Sequence, residues 1–136
     1  MPHDDELEQH DRLFTLAEAN SLIPQLNSRL TSVKQAKEIL LRTKEDIRKA
    51  SACAQYGGGS TVGSLYINSL QQVSSHVKAI QELGVLVKDL DIGLCDFPHV
   101  RDGRVVFLCW KLGEHEIGWW HETTTGYKDR CPLESR

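Results

Sequence analysis

Residues 94–110 read LCDFPHVRDGRVVFLCW, with Asp102-Gly103 at the centre between Arg101 and Arg104. Asp-Gly tolerates the positive φ angles of a two-residue turn whose twist matches that of the flanking strands. Either side is a strand-length, largely apolar run, so the stretch predicts a β-hairpin of Leu94–Val100 and Arg104–Trp110. A two-residue turn sets Asp96 opposite Cys109 and His99 opposite Val106. Working outward, Val85–Asp91 and Ile117–Glu122 also read with period two, and Leu112–His115 with Gly113 supplies a second turn. The region from about 85 to 122 is therefore a small antiparallel meander of four strands, followed by an irregular tail, Thr123–Arg136.

Upstream the period becomes helical. Thr15 followed by Glu18 is a capping box, which starts a helix at Leu16. Pro24 lacks an N–H and clashes with the preceding turn, so the helix kinks or restarts there. From Pro24 to about Ala54, Leu26, Val33, Leu40 and Ile47 recur every seven residues, with Leu30, Ala36 and Leu41 widening the stripe. A sustained seven-residue period favours a coiled-coil-like seam. Gly57-Gly58-Gly59-Ser60 breaks it as a turn and, with no preceding strand and no following Lys-Ser/Thr, does not read as a phosphate loop. A second helix runs from Ser60 or Thr61 to about Leu83 on a seam of Tyr66, Leu70, Val73, Val77 and Ile80, and Gly84 stops it. The helical part, about 15–83, is thus a long antiparallel hairpin, and the chain is α+β.

With 136 residues and 40% apolar content the chain suits one folded domain, 13–136, and is not disordered throughout. Residues 1–12 hold five acids against Arg12 and form an acidic flexible tail. No apolar run approaches the ~18 residues of a membrane span, and Met1 leads into acids with no secretory leader pattern. The expected compartment is the cytoplasm, where Cys53, Cys95, Cys109 and Cys131 stay unbridged thiols. The first long helix carries seven Lys/Arg against three Asp/Glu, but they spread around it and the net charge is -3, so no nucleic-acid partner is expected.

Phe14-Thr15-Leu16-Ala17-Glu18-Ala19-Asn20 with Pro24 form one block of motifs. A second runs through Gly84, Lys88-Asp89, Gly93-Leu94, Asp96-Phe97-Pro98, Gly103-Arg104, Leu108-Cys109-Trp110, Gly113-Glu114, Trp120-His121, Gly126 and Arg130. Together they resemble the bacterial family known as domain of unknown function 2203 over most of Leu13–Leu133. The resemblance implies a small bacterial cytosolic protein and supplies no activity. It points to the polar residues of the C-terminal third as those to inspect.

If the second turn centres on Leu112–His115, Cys109 faces Gly118 and Val106 faces His121. One sheet face then carries Asp96, Cys109, Gly118, Trp120 and Glu122, and the other Cys95, His99, Trp110, Trp119 and His121. In this register Cys109 and His121 point apart, and Cys95 and His99 lie ~13 Å apart along one strand. Metal ligands do not converge, and neither a metal nor another cofactor is expected. Cys109, in mid-strand between Leu108 and Trp110, reads as an inert thiol. Two functions stay open. The first is a noncatalytic interaction or small-ligand-binding protein that homodimerises through its hairpin, with Trp110, Trp120, Glu122 and Arg130 lining the ligand site. The second is an enzyme using Asp96, Glu114 and His121 around a tryptophan-rich sheet.

Overall fold

The computed structural model describes residue 10, residues 12–52 and residues 59–133. Cys53, the turn expected at Gly57-Gly58 and most of the acidic tail lie outside them. Thr15 caps α1 (Leu16–Ser21): its Oγ1 accepts from the Glu18 N–H at 3.1 Å, and the Glu18 carboxylate accepts from the Thr15 N–H at 2.8 Å. The chain breaks at Leu22 and restarts as α2 (Ile23–Ala52), with Pro24 in the first turn, where its missing N–H costs nothing. Next come α3 (Gly59–Glu82), β1 (Leu86–Asp89), β2 (Leu94–Arg101), β3 (Arg104–Lys111), β4 (Trp119–Glu122) and a two-residue β5 (Cys131–Pro132). The strands pair antiparallel in the order β1-β2-β3-β4-β5. The tail is therefore not irregular throughout: a 3₁₀ turn, Tyr127–Asp129, brings it back to pair with β4.

The β2–β3 hairpin follows from its turn. Asp102 and Gly103 both have positive φ, 52° and 78°, and Asp96 pairs with Cys109 and His99 with Val106. One face of the sheet takes the hairpin's base. Leu26, Leu30 and Ile80 from the helices meet Cys95, Phe97, Leu108 and Trp110 from β2 and β3, all buried. Phe14 closes this core edge-to-face on Phe97, with ring centroids 5.3 Å apart. The Phe14 N–H donates to the Pro98 carbonyl at 2.7 Å, and His99 Nδ1 donates to the Phe14 carbonyl, also at 2.7 Å.

The α2–α3 seam holds at its base, where Leu26, Leu30, Val33 and Ala36 are buried. Leu40, Ile47, Tyr66 and Val73, farther out, are only half-buried. Two expectations fail here. Leu41 does not widen the stripe but is 67% exposed, and Ser69 rather than Leu70 is buried. For Leu70 the cause is the rotation of α3. Arg29 Nη1 bonds His76 Nδ1 at 3.2 Å across the seam. Seven residues, about two turns, before His76 the same face carries Ser69.

The end of α1 is tied to the sheet by Asn20, whose Oδ1 accepts from the N–H of buried Ile117 at 2.8 Å. Asn20→Ala leaves that donor unpaired and is expected to lower stability by about 1–2 kcal/mol, read from the urea midpoint. An unchanged midpoint would show that the tie contributes nothing.

Candidate functional site

The second face of the sheet, opposite the helices, gathers the polar residues. Register decides which. Phe107 pairs with His121, Leu108 with Trp120 and Cys109 with Trp119, one residue out of step with the expected pairing. The cause is Ile117. Its period-two pattern places it in the strand, but its side chain plugs the core at 3% exposure and its N–H goes to Asn20 instead of a neighbouring strand. Pairing therefore begins at Trp119. A one-residue shift turns every side chain over. Trp119 and His121 join Asp96 and Cys109, while Trp120 and Glu122 pass to the Trp110 face. The inference that metal-ligating side chains diverge is overturned with it.

Asp96, Cys109 and His121 are all buried, at 2%, 0% and 3% exposure, and their ligating atoms lie within 4.8 Å of one another. His121 Nδ1 is 2.7 Å from the Glu122 carbonyl oxygen. A carbonyl only accepts, so Nδ1 carries a proton and donates. Nε2 then faces the Asp96 carboxylate, 3.1 Å from Oδ1 and 3.0 Å from Oδ2. Between a carboxylate and a ring nitrogen one proton is shared, whichever side holds it. Burial pushes the Asp96 carboxyl upward, opposed by His121 and by Lys88. Burial pushes the Cys109 thiol up to about 12, reinforced by the neighbouring Asp96 charge and opposed by Arg130.

Arg130 extends the cluster. Its Nη1 donates to both Glu114 carboxylate oxygens, at 3.2 and 3.0 Å, and its guanidinium stacks on Trp119 and Tyr127, 4.7 and 4.3 Å from the ring centroids. Glu114 also accepts from the Lys111 N–H at 2.8 Å, which anchors the turn after β3. Phe107 packs edge-on against His121 at 5.6 Å, with Lys88 Nζ 5.1 Å from its ring.

Of the residues singled out from sequence, Asp96 and His121 touch, and Arg130 links Glu114 to their neighbourhood. Trp110 is fully buried on the opposite face, its Nε1 donating to the Glu114 carbonyl at 2.9 Å. Trp120 also lies there, with Arg101 stacked on it at 4.8 Å, and Glu122 pairs with Arg104. The residues passed over are Cys109 as a donor and Trp119 as the aromatic wall. The signal for both was an apolar Ile117 set before Gly118, which reads equally as a core plug ending a loop.

A thiol reacts as thiolate, so burial and the raised pKa make Cys95 and Cys109 inert despite the histidine nearby. Iodoacetamide at pH 8 is expected to modify exposed Cys131 in the folded protein and to spare Cys95 and Cys109 until denaturant is added, read by peptide mapping. Fast labelling of Cys109 would contradict this.

No curated protein and no solved structure matches the chain. A family model described as an uncharacterized conserved protein (DUF2203) matches residues 12–133, nearly the whole of the described fold and all of the Asp96–Cys109–His121 cluster. The chain therefore belongs to the DUF2203 family.

Proposed function

We propose that the protein is a noncatalytic binding protein of the bacterial cytoplasm, which holds a small ligand on its sheet and homodimerises through its helical hairpin. One observation carries the noncatalytic part: Asp96 and His121 are buried and turned toward each other. General acid–base catalysis needs a group within hydrogen-bond reach of a substrate proton. Here the acid and the base reach each other, and Glu114 is held by Arg130 and the Lys111 N–H. Buried donors suit a ligand that enters and stays. The free thiols of Cys95, Cys109 and Cys131 accord with a reducing compartment.

The dimer rests on the outer half of the hairpin. Leu41, Leu65, Ile67 and Leu70 are 67%, 46%, 56% and 45% exposed, beside half-buried Leu40 and Tyr66. A groove of about 640 Å³ runs along α2, lined by Gln35, Glu38, Ile39, Leu41 and Arg42. The occupant we assign is a second copy. Glu38, Arg42 and Asp46 alternate in sign one helical turn apart, so an antiparallel neighbour whose two-fold axis passes beside residue 40 or 44 sets each Arg42 against an acid. Of the basic residues that would oppose such packing, Lys37 is paired with Asp91 and Arg48 with Glu45. Two hairpins then close a coiled-coil-like four-helix bundle.

Light scattering at micromolar concentration is expected to give twice the 15.4 kDa chain mass. Leu41→Glu changes a side chain already exposed in the single chain, so it should return the mass to one chain with the helical circular dichroism intact. A wild-type mass of one chain, unchanged on concentrating, would end the dimer and leave the sheet site untouched.

A further inference from the structure

We propose that Asp96, Cys109 and His121 form the binding site for one divalent transition-metal ion of the zinc class. This rests on the reading of the sheet as a binding site and names its ligand. The donor set is one imidazole nitrogen, one sulfur and a carboxylate, which is the chemistry zinc prefers over the all-oxygen ligands of calcium or magnesium. The orientation is that of a ligating histidine. Nδ1–H is committed to the Glu122 carbonyl at 2.7 Å, which fixes the ring and turns Nε2 toward the other two donors. Both Asp96 oxygens lie nearly equidistant from Nε2, 3.1 and 3.0 Å, so either can ligate. With His121 and Cys109 that makes three protein ligands, and a water completes a four-coordinate shell.

The spacing suits an ion. Ligand bonds of about 2.0–2.3 Å in a tetrahedron put donor atoms roughly 3.3–3.7 Å apart. The three groups already lie within 4.8 Å of one another, so closing the site asks for a contraction of roughly 1 Å. Charge also balances. Without an ion, the thiol proton and the proton shared by Asp96 and His121 keep the cluster neutral. Uptake releases both protons and leaves a carboxylate, a thiolate, a neutral imidazole and a dication, again neutral. A buried site that stays neutral in both states avoids most of the cost of burying net charge. Of the nearby cations, Arg130 is offset by Glu114, and Lys88 is exposed beyond the Phe107 ring.

Cobalt(II) is the probe, in a full-length Cys53→Ser/Cys131→Ser background that leaves Cys95 and Cys109 as the only thiols. One equivalent should bind with the near-ultraviolet band of thiolate-to-cobalt charge transfer and the strong visible bands of four-coordinate cobalt. Zinc should displace it. Adding Cys109→Ser should abolish the charge-transfer band, and adding Cys95→Ser, on the opposite face, should leave it. Asp96→Asn keeps the side-chain shape and should weaken cobalt binding at least tenfold, with circular dichroism confirming the fold. A folded parent protein that gives no such band at millimolar cobalt overturns the proposal, as does a band that survives Cys109→Ser. Either failure leaves the scattering mass, and with it the dimer, standing.

Discussion

The pairing of β3 with β4 is the constraint on which the polar half of the molecule depends. A sheet alternates its side chains strictly, so a single pair fixes the rest. With Phe107 opposite His121, the imidazole lands on the face that already carries Asp96 and Cys109, and Trp119 on the face where Arg130 can stack. The pairing is in turn held from outside the sheet. Ile117 is drawn into the core and its N–H is taken by Asn20 of α1, while Glu114 fastens the preceding turn to Lys111 and to Arg130. Helix, turn and tail thus converge on one loop, and that loop sets the register that assembles the cluster.

The two faces of the sheet obey different physics. The inner face meets the base of the hairpin through Phe97, Leu108, Trp110, Leu26 and Ile80, and its burial drives folding. The outer face buries an acid against a histidine. Such a pair is poor value for stability: well-packed apolar residues in its place are often neutral or better, while removing one partner costs about 3–5 kcal/mol. Stability therefore does not explain the pair, which accords with the ion site proposed above. The hairpin divides in the same way, with a base buried against the sheet and an outer half whose seam is half-wet and whose flanks carry exposed leucines.

Much of the architecture was legible in the residues. Thr15 and Glu18 announced the first helix, the heptads at Leu26 and Val33 the long one, Gly84 its partner's end, and Asp102-Gly103 the register of β2 on β3. What stayed hidden was long-range. The rotation of α3 depends on Arg29 meeting His76 across the seam, and periodicity along α3 alone could not choose between Ser69 and Leu70. The β3–β4 register depends on a loop whose residues bond to α1 and the tail, and no turn rule covers it. Asp96 and His121 were recognisable as chemistry-bearing groups. That Cys109 joins them followed only from the parity of a strand whose start was misplaced by the pull of Ile117 into the core.

His121 spends its Nδ1 proton on the Glu122 carbonyl and turns Nε2 toward Asp96 and Cys109. Long-range proton–nitrogen correlation spectra of the folded, metal-free protein, with histidines labelled with nitrogen-15, test it directly. A protonated, pyrrole-type Nδ1 is expected for His121, with loss of that assignment in His121→Gln. A bare, pyridine-type Nδ1 with the proton on Nε2 alone would contradict it, because Nε2 would then be a donor with no lone pair to offer.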